Sequence, residues 1–172
     1  MTVTKQTKHG VIIVDACDAD LLARAYAWKP QKSNSFYALT FKPAAYLLHR
    51  AIMSRMLSRS LTSKEQIDHA NNNGLDNRRS NLRIATPSQN NANKPLGKTN
   101  TSGFKGVNWQ KTKNKWRAEI KVNQVRIHIG YYDDPAEAHD AYMRAAVAYF
   151  GEFANSGKTG QLDLFATNED KS

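Results

Sequence analysis

The sequence predicts an α+β protein, and three observations carry that prediction. From residue 10 to 58, strand-like apolar runs alternate with stretches of helical spacing. Residues 64–93, crowded with asparagine, read as a two-stranded hairpin feeding a helix. Residues 103–150 then read as three strands and one helix, with the helix lying on the apolar face of an antiparallel sheet.

In chain order, "GVIIV" is strand-like, "DADLLARAYAW" helix-like, "SFYALTF" strand-like, and "KPAAYLLHRAIMSRML" helical, with Ala44, Leu47, Leu48 and Ile52 at helical spacing. Residues 1–63 are therefore expected to form an α/β segment supporting the asparagine-rich region after it. That region opens with "IDHANNNGLDNRRSNL", which carries Asn71, Asn72, Asn73, Asn77 and Asn81, and the crowding continues through Asn90, Asn91 and Asn93. A plain turn needs one or two such residues. Asparagine is favoured where a side-chain amide bonds nearby backbone or where a neutral oxygen ligand is wanted. "QID" ends one strand and "NLRIA" forms the second. "TPSQNNANK" then starts a helix, with Thr86 as cap, Pro87 at the first position and Gln89 completing a capping box.

This spacing carries chemistry. The carboxylate of Asp68 and the amide oxygen of Asn90 are hard oxygen donors, suited to Mg²⁺, with Mn²⁺ as a substitute, rather than to Zn²⁺ or copper. His69 projects from the opposite strand face to Asp68. With an ordinary pKa of about 6.5 it can accept a proton from an attacking water. Asn81, with donors and an acceptor, suits a residue pinning the loop to the strand that bears His69.

Asp68-His69, then Asn81, then Asn90 resembles the HNH endonuclease motif, the ββα-metal fold. It is most similar to the phage and intron homing-endonuclease variant with asparagine at the last position. The resemblance implies Asp68 and Asn90 as metal ligands, His69 as general base and Asn81 as the residue orienting it, all within residues 64–95. "YLLHRAIM" resembles the segment preceding the motif in that family, where His49 and Arg50 contact a phosphate or brace the site.

"KPLGKTNTS", with 96–102 as its centre, has the composition of a linker. It predicts separately folding parts, so that residues 1–95 alone would still cut DNA, with less selectivity. Beyond it, "KWRAEIKV" places Trp116, Ala118, Ile120 and Val122 on one face, with Lys115, Arg117, Glu119 and Lys121 on the other. "VRIHIGYY" sets Val125, Ile127 and Ile129 against Arg126 and His128 after a tight "NQ" turn. The glycines of "GFKGVNWQK" suggest a bulge or a close approach. Asp134 caps the last helix, Pro135 and Glu137 come next, and Gly151 ends it; Ala138, Ala141, Tyr142, Ala145 and Tyr149 form its apolar stripe. Residues 103–155 resemble the Apetala-type, ethylene-response-factor DNA-binding domain through "GFKGVNW", "KWRAEI", "IHIGYY" and "AEAHDAYMRAAVAYFGEFAN". That resemblance implies a DNA-facing set of Lys105, Asn108, Gln110, Arg117, Glu119, Lys121, Arg126 and His128, with Trp116 in the core. Arg50 joins the set from the nuclease part. The tail from Gly151 has no sustained periodicity and is expected to fray, with 156–172 flexible.

Composition agrees with such a partner. Residues 1–151 hold 23 of the 25 basic and 11 of the 15 acidic groups, a charge that points to a polyanion, most simply nucleic acid, which the resemblances narrow to double-stranded DNA. The single cysteine, Cys17, excludes an intramolecular disulfide and a multi-cysteine zinc site, and reads as a small buried residue. No apolar run approaches membrane-spanning length and "MTVTKQTKHG" lacks a signal core, so the expectation is an intracellular, soluble protein, in the bacterial cytoplasm if phage-encoded. No small-molecule cofactor beyond the metal is expected. One site per chain predicts a nick; a double-strand break requires a homodimer or two successive cuts. Two rivals stand beside this reading. A non-catalytic DNA-binding regulator with a degenerate fold would show no EDTA-sensitive cleavage. An RNA-directed protein would expose aromatics on its sheet for base stacking, where this sequence places charges.

Overall fold

The computed structural model describes residues 1–28, 36–40 and 46–157. Two compact units divide the chain, Met1–Thr86 and Pro87–Ser172. The division falls inside the segment 64–95 that the sequence groups as one motif.

The first unit opens with a hairpin of β1 (Thr2–Thr7) and β2 (Gly10–Asp15), in register from Thr2 opposite Asp15 to Thr7 opposite Gly10. Ile12 and Val14 of β2 are fully buried, whereas β1 is a polar edge strand that its sequence does not announce. In "DADLLARAYAW" only α1 (Ala19–Ala23) is helical among its residues 19–28; Ala25–Trp28 forms β3. β3 pairs antiparallel with β4 (Tyr37–Thr40), and β4 with β5 (Tyr46–Leu47), in the order β3-β4-β5. Ala25 and Ala38 both enter the core, so sheet pairing overrides the helical propensity of this alanine-rich run.

Helix α2 (Leu48–Met56) buries Leu48, His49, Ile52 and Met53. Leu47, expected on this helix, belongs to β5, and Ala44 lies outside the described residues. The core gathers Ile12, Val14, Leu22, Leu48 and Ile52 with Ile67, Leu75 and Leu82 of the asparagine-rich segment. That segment contributes β6 (Gln66–His69) and β7 (Leu82–Ala85), antiparallel, with Asp68 opposite Arg83 and His69 opposite Leu82.

Asp18 is fully buried and accepts from Arg79 Nε at 2.8 Å and Arg55 Nη1 at 3.1 Å. Burial pushes its pKa up, but the bond to and charge of Arg79, with Cys17 and Arg55, more than reverse this and hold the carboxyl below its usual range. Cys17, expected to be buried, is exposed: at this turn Asp18 takes the inward position.

The second unit begins with α3 (Pro87–Asn93), whose Ala92 and Asn93 are buried. Strands β8 (Val107–Gln110), β9 (Lys115–Val122) and β10 (Val125–Tyr132) form an antiparallel sheet in the order β10-β9-β8. Asn123 and Gln124 both take positive φ, 48° and 71°, as a two-residue hairpin turn requires. Helix α4 (Pro135–Phe150) starts with Asp134 Oδ1 accepting from the Ala136 amide at 2.8 Å. Its buried stripe is Ala138, Ala141, Tyr142, Ala146 and Phe150; Ala145 is half-buried and Tyr149 exposed, because the inward face advances by four residues after Tyr142. Beyond Gly151 the chain packs rather than frays as far as it is described: Phe153, Ala154 and Asn155 are buried. Residues 158–172, most of the expected flexible tail, lie outside the described residues. Among the described residues no helix is long and apolar enough to cross a membrane.

Gly106 is the close approach that its strand's glycines suggest. Its φ is +74°, and a Cβ there would overlap the Tyr142 ring. Gly106→Ala is expected to destabilise the second unit by about 2–3 kcal/mol or more, read as a lower urea midpoint, because strain and overpacking add.

Candidate active site

The asparagines of the 70–81 loop bond mostly to one another and to the loop backbone. Asn71 accepts at Oδ1 from the Asn73 amide (2.9 Å) and from Asn81 Nδ2 (3.0 Å), and donates from Nδ2 to Asp76 Oδ2 (2.8 Å). Asn81 accepts from the Asn71 amide (3.0 Å) and donates to the Asp76 carbonyl (2.7 Å), while its own carbonyl accepts from the Ala70 amide (2.9 Å). Asn72 takes φ 61°, which asparagine tolerates better than most residues. Asn81 thus pins the loop to the end of β6. The loop is also tied to β2: Ile13 donates to the Leu75 carbonyl (2.9 Å), and the Asn77 amide to the Ile13 carbonyl (2.8 Å). Gly74 packs so closely on Phe36 and Tyr37 that a Cβ would collide with both.

This lattice sets the surroundings of His69, which is 6% exposed. Asn77 is wholly buried and its Oδ1 lies 3.4 Å from His69 Nε2. The His49 ring stands edge-on to His69, with centroids 5.1 Å apart and planes at 87°, and Tyr37 lies about 6 Å from each ring. Burial lowers the His69 pKa; the Asn77 contact and the charges of Asp68 and Asp76 only partly offset it, so the neutral ring dominates at physiological pH. Burial and the neighbouring His69 and Arg50 push His49 down to about 3, and its Nδ1 has no hydrogen-bond partner among the described residues. Burial and the Asp68 charge raise the pKa of Tyr37.

Asp68, 4% exposed, is paired across the hairpin with Arg83, Nε and Nη2 each 2.9 Å from Oδ2. That pair compensates a buried charge that would otherwise be costly. Asn90 is half-buried on α3 of the second unit. Among the described residues no group of three or more His, Cys, Asp and Glu gathers to hold a metal. The carboxylate of Asp68 and the amide oxygen of Asn90 are each, by donor chemistry, suited to a hard cation such as Mg²⁺, which keeps several waters and takes ligands from phosphate.

Arg50 lines a cleft of about 780 Å³ with Arg55 and Arg59, but its guanidinium donates to the carbonyls of Glu65 (2.6 Å) and Thr62 (2.8 Å). Arg50 therefore braces the entry to β6.

Lys105 also turns inward. Its Nζ donates to the carbonyls of Ala92 and Lys94 (2.5 and 2.6 Å), and burial lowers it to about 8. The remaining sheet set lies on β8–β10. Asn108 is opposite Arg117, Gln110 opposite Lys115, Glu119 opposite His128 and Lys121 opposite Arg126. Glu119 bridges Arg117 and Arg126, 2.8 Å each, and His128 lies against Tyr131 with centroids 4.5 Å apart. A bulge between His128 and Gly130 interrupts the expected alternation, and Trp116 packs against the core with Ile129 and Tyr132. Asn108, Glu119, Lys121 and Arg126 help line a cleft of about 430 Å³.

Sequence reading missed Asn77, Arg83 and Tyr37. Arg83 was accessible, since register pairs it with Asp68, but Asn77 and Tyr37 reach the site only through tertiary packing.

A family model described as HNH endonuclease matches residues 46–92. An uncharacterized HNH endonuclease, L560, of Acanthamoeba polyphaga mimivirus is 32% identical over 133 residues, spanning 77% of this chain and 67% of its own. Protein 3.8 of Escherichia phage T7 is 43% identical over 54 residues, which are 31% of this chain and 45% of that protein. No solved structure matches the chain.

Proposed function

The chain belongs to the HNH endonuclease family, enzymes that cleave DNA, and on that premise we propose that it hydrolyses a phosphodiester of double-stranded DNA with a divalent metal, in the manner of a homing-type nicking enzyme. The observation that carries this reading is the setting of His69: buried, kept neutral, in contact with Asn77 and next in sequence to Asp68. In the proposed reaction neutral His69 takes the proton of the attacking water. Asn81 keeps the loop closed behind it through its bonds to Asn71 and Asp76. Asp68 and Asn90 would hold the ion, Mg²⁺ or Mn²⁺, in the ββα-metal arrangement. Bound there, the ion would stabilise the negative charge that develops on the phosphate and the leaving oxygen. One such site per chain leaves a nick, and a break across both strands takes a homodimer or a second cut.

Cleavage of a duplex library should therefore require added Mg²⁺ and cease with EDTA. Asp68→Ala should lose activity by about 10²-fold or more and recover part of it at high Mg²⁺. EDTA-resistant cleavage would remove the metal from the mechanism.

The sheet of the second unit is proposed to bind the target, with the outward Arg117, Lys121, Arg126 and His128 as phosphate or base contacts and Glu119 holding Arg117 on its own strand and Arg126 on the next. Removing both Arg117 and Arg126 as alanines should weaken duplex binding. It should also flatten the log–log salt dependence by about one unit for each phosphate that is no longer neutralised. A double variant with unchanged affinity, salt slope and sequence preference places DNA elsewhere.

A further inference from the structure

We infer that Tyr131 is a specificity-determining residue of the second unit, its ring packing on the C5-methyl group of a thymine in the target duplex. The inference rests on the reading of that unit's sheet as the DNA-binding surface and names one contact on it. Strict alternation from the outward His128 would turn Ile129 inward, Gly130 outward and Tyr131 inward. The bulge reverses this. His128 stands opposite Glu119, Gly130 opposite Ala118, Tyr131 opposite Arg117 and Tyr132 opposite Trp116. The extra residue therefore places Tyr131 on the face that carries Arg117 and Glu119, while Tyr132 takes the inward position beside Trp116.

On that face the ring is available to a ligand. Tyr131 is 39% exposed and lies against the exposed His128, with ring centroids 4.5 Å apart and planes at 48°. The two rings make an apolar spot on a surface otherwise lined by Asn108, Arg117, Lys121 and Arg126. Arg117, directly opposite Tyr131, is held in place: its Nη2 lies 2.8 Å from Glu119 Oε2, and its side chain is 31% exposed against 70% for Arg126. A ring on a paired strand beside a held neighbour is fixed in position, which a base contact requires and a phosphate contact does not. A tyrosine ring brings no charge to a phosphate. What it brings is apolar area, and the apolar group on a base edge in the major groove is the thymine methyl. The competing role is a hydroxyl bond to a phosphate, which Tyr131→Phe would remove while keeping the ring.

The test uses the full chain and the duplex that it selects from a mixed library. Each thymine of the protected stretch is replaced in turn by deoxyuridine, which removes only the C5-methyl group. The expected result is one position at which the unaltered protein loses about three- to tenfold in affinity. Tyr131→Ala should bind the thymine duplex about that much more weakly and no longer respond to deoxyuridine there. Tyr131→Phe should behave as the unaltered protein does. No sensitive thymine, a Y131A variant that still responds at the same position, or a Y131F variant as weak as Y131A overturns the inference. A second measurement needs no variant: 5-iodouracil at the sensitive position should photocross-link to Tyr131, identified by mass spectrometry, and a cross-link to any other residue overturns it. Loss of affinity by Y131A for the single strand alone would make the ring a platform for unpaired bases and reject the methyl contact. The double variant Arg117→Ala with Arg126→Ala separates the two ideas. If it binds as the unaltered protein does, the sheet is not the reader and both fall. If it binds weakly while deoxyuridine has no effect at any position, the sheet stands and the Tyr131 contact alone falls.

Discussion

Replacing His69 with alanine is expected to lower single-turnover cleavage by about 10²- to 10⁴-fold, the span that a positioned general base contributes. DNA affinity should change little. A base acts on the transition state, and this one is a buried neutral ring rather than a surface cation. The hairpin should survive the change, because the loop is held by the Asn71, Asn81 and Asp76 bonds and by the tie of Leu75 and Asn77 to Ile13. The removed ring does leave space against His49 and Tyr37, so urea denaturation should accompany the kinetics. Equal losses of affinity and rate in a folded variant would show that His69 binds DNA rather than activating water.

Truncation after Pro95 is the second large effect, and here the make-up of helix α3 argues for a different outcome from the one composition predicts. A linker at 94–102 predicts that residues 1–95 still cut. Yet helix α3, which bears Asn90, has seven residues, well below the roughly 12–15 needed for an isolated helix to persist in water. Hydrogen bonds tie this segment to residues beyond the truncation: Lys105 to the carbonyls of Ala92 and Lys94, Asn155 to Asn93, and the Asn123 amide to Ser88 Oγ. The 1–95 fragment should therefore keep the cooperative unfolding of its β-rich body while metal-dependent cleavage falls by about 10²-fold or more. The complementary fragment 87–157 should bind duplex DNA and not cut it. Cleavage by 1–95 at the full-length rate would mean that α3 stands without the second unit.

The sequence alone determined the α+β class, the hairpin from Gln66 to Ala85, the three strands and long helix of the second unit, and the residue types at 68, 69, 81 and 90 through which the chain resembles HNH endonucleases. These were legible because they rest on local rules: period-two alternation in "KWRAEIKV", a capping aspartate before Pro135, an asparagine-rich turn. Tertiary structure decided the rest. It turned Ala25–Trp28 from helix to strand, because pairing with β4 sets Ala25 opposite Thr40 and Ala27 opposite Ala38 while Ala25 and Ala38 enter the core. It sent Lys105 and Arg50 to backbone carbonyls instead of leaving them as free cations. It also drew Asn77 and Tyr37 to His69, eight and 32 residues away in sequence. A lysine or an asparagine reads the same in sequence whether its polar end meets water, DNA or a carbonyl. Only folding creates the low-dielectric surroundings in which an unmade hydrogen bond is costly, and that cost selects which partner each buried polar group takes.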